Sequence, residues 1–172
     1  MPTRPQPLAL AAALSVLALG ACGGEAPTDA RSVLLVTLDT TRADAISSLG
    51  APAGTTPRLD ALAAQAALFS EARSDSNVTN PSHASIMSGL RALDHGVLNH
   101  VTRLPEGVDT LPEAFARAGY ATAGFASSRH VGPDFGWRGF DVLPNMRKDR
   151  SARETTDLAL EWLEERKGQD EP

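Results

Sequence analysis

The chain has 172 residues, 42% of them apolar and 22% charged, a composition that fits one globular domain and excludes a disordered or collagen-like chain. A formal charge of -5 with no clustered basic face excludes nucleic acid as a partner. One cysteine, Cys22, excludes an intrachain disulfide and a cysteine-based zinc cluster.

In chain order the first feature is an address. One basic residue, Arg4, precedes the uncharged run Leu8 to Gly20, which at about 1.5 Å per residue reaches only about 20 Å and is too short to span a bilayer. Residues 1–21 therefore read as a signal peptide. The sequence Leu19-Gly20-Ala21-Cys22 resembles the bacterial lipoprotein cleavage box, which makes Cys22 the expected lipidation site. Residues 22–31, with Gly23, Gly24 and Pro27, read as a tether. A membrane-anchored lipoprotein, periplasmic or in the outer membrane, is the implied location. The alternative is a plain secretory signal beside an unmodified cysteine.

Val33 to Leu38 is an unbroken apolar and β-branched run, the pattern of a strand buried on both faces, and it ends in Asp39. Thr56-Pro57 opens a helix as N-cap and N1, with Leu59, Leu62, Ala63 and Ala66 on one stripe. Phe69 to Arg73 is a second strand candidate. Another helix starts at Asn80-Pro81, with Thr79 or Asn80 as its cap, and runs to Gly89. Leu90 to Val108 reads as the longest loop. Thr110 and Glu113 form a capping box before a helix closed by Gly119, and Ser151 and Glu154 form another before a helix to Lys167. Between them lie a third strand, Ala121 to Ala126, and a short fourth piece, Phe140 to Leu143. Strands alternating with helices predict an α/β fold, a mainly parallel sheet flanked by helices. Trp137 and Trp162 read as packing residues.

In such a sheet ligands gather beyond the carboxyl ends of strands, where Asp39 lies. Asp39 to Asp44 packs carboxylates, hydroxyls and the Arg42 guanidinium into six residues, hard oxygen donors suited to a divalent cation. Standing alone, the same cluster also fits a surface Asp-Arg pair. Thr79 stands at a helix N-terminus, where unpaired N–H groups and the dipole favour an anion; there His83 fits either a site role or a surface position.

Together these clusters resemble the sulfatase branch of the alkaline phosphatase superfamily, whose members carry Asp-Asp-x-Arg-x-Asp after a strand, then Thr-Pro-x-Leu-Asp-x-Leu-Ala, then Cys or Ser-x-Pro-Ser-Arg at the nucleophile. The matching stretches are Asp39 to Asp44, Thr56 to Ala63, and Thr79-Asn80-Pro81-Ser82-His83 with Gly89. Later landmarks are Leu111 to Phe115, Ala118 to Ala123, and Gly139-Phe140-Asp141.

The resemblance implies a metal site using Asp39, Thr40 and Thr79, with calcium or zinc/manganese as the divalent metal. It implies catalytic roles for Thr79, His83 and His130, and substrate contacts by Arg42 and Asn80. Three departures bear on the chemistry. Thr79 replaces the Cys or Ser that becomes formylglycine, Thr40 replaces a second Asp, and His83 replaces Arg. Oxidising threonine would give a ketone, so the resemblance points to direct attack by a hydroxyl on a phosphate or phosphonate ester more readily than on a sulfate ester. Arg129-His130 matches a Lys-x-His element only after a one-residue shift, with Ser128 at the Lys position. His95 and His100 fit a rim or a solvated loop. Residues 32–172 are expected to be the N-terminal part of a sulfatase-like catalytic domain, because the family's remaining metal ligands follow a later strand. The competing reading is a catalytically inactive, anion-binding lipoprotein.

Overall fold

Capping chemistry within four residues locates most of the helices. The computed structural model describes residues 32–144 and 149–169, so the expected signal peptide, Cys22 and the tether lie outside the described residues. Helix α1 spans Pro57–Ala63 with Thr56 at the N-cap and proline at N1. The Thr56 hydroxyl caps no N–H of its own helix, though it donates to the Asp60 carboxylate one turn on at 3.4 Å. It accepts from the Ser47 N–H at 2.9 Å, while Asp60 accepts from the Ser48 N–H at 3.0 Å, docking α1 on the 3-10 turn Ser47–Leu49.

Helix α2 spans Thr79–Ser88 and ends at Gly89 in the left-handed conformation, φ 69°. Its N-cap is Val78, which has no side chain able to cap, so Thr79 is the first helical residue and its hydroxyl turns to a partner outside the helix. Helix α3, Ala92–His95, lies inside the stretch expected to be loop. Four residues are too few to leave a periodic apolar signature. Helices α4, Leu111–Arg117, and α5, Ala152–Glu165, both form the expected capping boxes.

Ala84 of α2, Val97 and Leu104 form the buried apolar cluster, with Val108 against it. Arg138 ties α4 to the preceding loop: its Nε pairs with Glu113 at 3.0 Å, and its other nitrogens donate to the carbonyls of Pro105, Glu106, Val108 and Gly136. Partial burial raises the Glu113 pKa, but bonds from the Thr110 hydroxyl and N–H, with the Arg138 charge, hold it below the ordinary glutamate value on balance. Gly139 permits this docking. Its φ is +82°, and a Cβ there would come within 2.4 Å of the Glu113 nitrogen.

No strand is present among the described residues. The third strand candidate and the short fourth piece meet in one parallel bridge, Ala123 with Val142, where Gly124 N–H donates to the Val142 carbonyl at 2.9 Å. The expected strands Val33 to Leu38 and Phe69 to Arg73 form no ladder with any described residue. A strand needs a partner for its backbone. Without one, Leu34 is 80% and Phe69 77% exposed. Trp162 of α5 packs 6.4 Å from Phe125, as a packing residue should. No helix among the described residues is long and apolar enough to cross a membrane.

Candidate active site around Thr79

Two segments 40 residues apart meet where Thr79 Oγ1 donates to Asp39 Oδ2 at 3.0 Å. Asp39 is exposed and sits in a turn with Thr40, whose φ of 59° lies in the left-handed region that a β-branched residue adopts only at a cost. A second clip lies beside the first. His83 is buried; its Nδ1 is 2.9 Å from the Thr79 carbonyl and its Nε2 3.2 Å from the Thr37 hydroxyl. A carbonyl can only accept, so Nδ1 carries the proton, and in the neutral ring Nε2 accepts from Thr37 Oγ1. Trp137, also buried, packs edge-on to His83 with ring centroids 6.3 Å apart. His83 thus holds the first carbonyl of α2 to the segment that ends in Asp39.

The helix start offers fewer anion donors than a full turn. Pro81 has no N–H, and the Ser82 N–H is spent on the Val78 carbonyl at 3.0 Å. By position, the N–H groups of Thr79 and Asn80 lack intrahelical acceptors. The Asn80 side chain is buried and donates to the carbonyls of Asn99 at 3.0 Å and Thr102 at 2.8 Å, so a substrate contact by Asn80 falls to its backbone N–H. Arg42 forms a two-pronged pair with Asp44, at 2.9 and 2.6 Å, with both side chains largely exposed. A substrate role for Arg42 would have to open or share that pair.

His130 lies elsewhere in the network. Its ring lies tilted against His100, centroids 4.6 Å apart, and 5.8 Å from Phe135, its Nδ1 is buried without a hydrogen-bond partner among the described residues, and no hydrogen bond joins it to Asp39, Thr79 or His83. Sequence reasoning missed Thr37, although a lone hydroxyl in an apolar run was a visible signal. It also missed the packing of Trp137 on His83, which carries no sequence signal.

Oxygen donors at the site are the Asp39 carboxylate and the Thr79 hydroxyl, with Thr40 adjacent. Among the described residues no group of three or more His, Cys, Asp or Glu could hold a metal ion. Calcium takes about six to eight oxygens and zinc about four ligands, so this donor set does not by itself make a cation site.

Residues 31–170 match the Sulfatase family model, and the chain belongs to the sulfatase family. It is 34% identical over 126 residues to arylsulfatase A of Bos taurus, covering 70% of this chain and 25% of that protein. It is 28% identical over 122 residues to the Delta 4,5-hexuronate-2-O-sulfatase of Bacteroides thetaiotaomicron, covering 67% of this chain and 25% of the relative. The fold is similar to that of the phosphonate monoester hydrolase of Agrobacterium radiobacter, with a TM-score of 0.57 and 23% identity over 77% of this chain and 29% of the other. The chain spans about a quarter of the length of the curated relatives it matches.

Proposed function

We propose that residues 32–172 are the nucleophile-bearing part of a metal-dependent ester hydrolase or transferase acting on phosphate, phosphonate or sulfate esters, with Thr79 as nucleophile. The observation that carries this reading is the contact between Thr79 Oγ1 and Asp39 Oδ2. Asp39 draws the hydroxyl proton to one side and leaves an oxygen lone pair for attack. The N–H groups of Thr79 and Asn80 lie where they can meet the anionic oxygens of an ester. His83 keeps the Thr79 backbone in register with Asp39. A bond forms between Thr79 Oγ and phosphorus, the bond to the leaving alcohol breaks, and water later releases phosphate from the threonine. A divalent cation, calcium or zinc/manganese, would supply positive charge to the developing alkoxide in the whole site. Asp39, Thr40 and Thr79 are the residues here that would face it. In the proposed whole domain the helices flank a mainly parallel sheet, with Val33 to Leu38 as one strand.

Brief exposure to an aryl phosphate followed by intact-mass and peptide mapping tests the scheme. Phosphate on Thr79 is expected, absent in Thr79→Ala and retained in Thr79→Ser. Label on Ser82 or Ser85 would show that the wrong hydroxyl has been assigned. A second reading, a catalytically inactive, anion-binding lipoprotein, is supported by the start of α2, where the Thr79 and Asn80 N–H groups lack intrahelical acceptors. Phosphate binding without covalent labelling, in a preparation saturated with divalent metal, would select it. Anchoring through lipidated Cys22, in the periplasm or outer membrane, completes the proposal. Cys22→Ala should move the protein from the detergent phase to the aqueous phase, and unchanged partitioning would remove the anchor.

A further inference from the structure

A second polar network fills the corner between α2 and α3. His95, the last residue of α3, is 1% exposed. Its Nδ1 accepts from the Val97 N–H at 3.1 Å, and its Nε2 is 3.0 Å from the hydroxyl of Ser85 on α2. Ser85 donates to Asp75 Oδ2 at 3.3 Å, and the same carboxylate oxygen accepts from the N–H of Ala92, the first residue of α3. Direction follows from chemistry. The Val97 N–H can only donate, so Nδ1 presents its lone pair, Nε2 carries the proton, and the Ser85 proton points to the carboxylate. This is the opposite tautomer to His83.

Adding a second proton would set an Nδ1–H against the Val97 N–H, at a residue with no exposed surface. An unmatched buried donor is costly. Burial lowers the His95 pKa from its ordinary value, more than the nearby charges of Asp75 and Asp94 raise it. Asp75 comes from the segment before α2, and Asp94, on α3 itself, is paired with Arg91 at 3.0 Å. The only titratable side chain of α2 is His83, and Arg103 of the following loop is engaged with the Asp134 carbonyl. A cavity of about 320 Å³, lined by Asp75, Ser76, Pro81, Arg91, Leu93 and Leu98 among others, adjoins the carboxylate end of the network.

We infer that neutral, Nε2-protonated His95 is the positioning residue for α2, and that protonating it unlocks the corner and loosens the helix that carries Thr79. The lock depends on no reaction; only its consequence for Thr79 rests on the function proposed above.

The test is NMR on the 172-residue chain from about pH 7.5 to about pH 5, reading the His95 ring titration and the corrected protection of the Val97 and α2 amides. Wild-type protection should fall about tenfold for each unit by which the ring's pKa lies below its ordinary value. His95→Gln can accept from Val97 and donate to Ser85 but cannot take up a proton, so its protection should persist at both pH values. His95→Ala should lose protection at both. Nitrogen shifts of the wild-type rings, which need no variant, should show Nε2–H on His95 and Nδ1–H on His83. An Nδ1–H tautomer on His95, a titration at or above the ordinary histidine value, or an acid loss in His95→Gln like that of wild type would overturn the inference. None of these readouts involves substrate, so a failure of the Thr79 mechanism leaves them intact.

Discussion

The two sides of the Thr79–Asp39 contact are built differently. Thr79 stands on a helix whose neighbours are buried and partnered: Asn80 holds two loop carbonyls, His83 holds Thr37 and the Thr79 carbonyl, and Ala84 packs on Val97 and Leu104. Asp39 ends a segment whose large apolar side chains are all at least 48% exposed and whose backbone makes no backbone-to-backbone hydrogen bond among the described residues. A helix satisfies its own backbone and needs one covered face, whereas a strand needs neighbours on its edges before its apolar faces are useful. Rigidity on the nucleophile's side therefore comes from local packing. On the Asp39 side, among the described residues, it comes from two side-chain bonds to α2, Thr37 with His83 and Asp39 with Thr79.

The sharpest way to break this contrast is to empty the packed side. Leu104→Ala should cost about 2–5 kcal/mol, read by denaturant unfolding, because it deletes buried methyl groups and leaves a cavity. Asn80→Ala should cost about 1–3 kcal/mol by freeing the carbonyls of Asn99 and Thr102, and it should raise hydrogen exchange over residues 99–102.

Glu113→Gln should lower stability at neutral pH by a smaller amount, since glutamine can still serve the capping box but not the ion pair with Arg138. The Glu113 carboxylate is held below its ordinary value, so its stabilisation is complete above that value and is lost as pH falls through the folded pKa. The gap between wild type and variant should accordingly close in acid, as followed by thermal unfolding across pH.

The smallest effect is expected on the other side. Leu34→Ser should change stability by no more than about 0.5 kcal/mol, as for an exposed position, while reducing self-association in light scattering. A loss as large as that of Leu104→Ala would show that Val33 to Leu38 is buried in a sheet in solution.

Sequence alone determined what neighbours within a few residues decide. The boxes Thr110/Glu113 and Ser151/Glu154, proline at the start of α1 and glycine at the end of α2 each act within one turn, so their signals are local and the helices appear where those signals lie. Family membership was legible for a related reason, as short motifs keep their order and spacing along the chain. Tertiary structure alone decided the rest. The meeting of Asp39 with Thr79 spans 40 residues, and the opposite tautomers of His83 and His95 depend on whether a carbonyl or an N–H faces Nδ1. The Asp75–Ser85–His95 network joins three segments that no sequence period links. The apolar run before Asp39 shows the boundary between the two. Its composition states a preference for burial in a sheet, but a sheet is a property of several strands together, and one strand's sequence cannot supply the others.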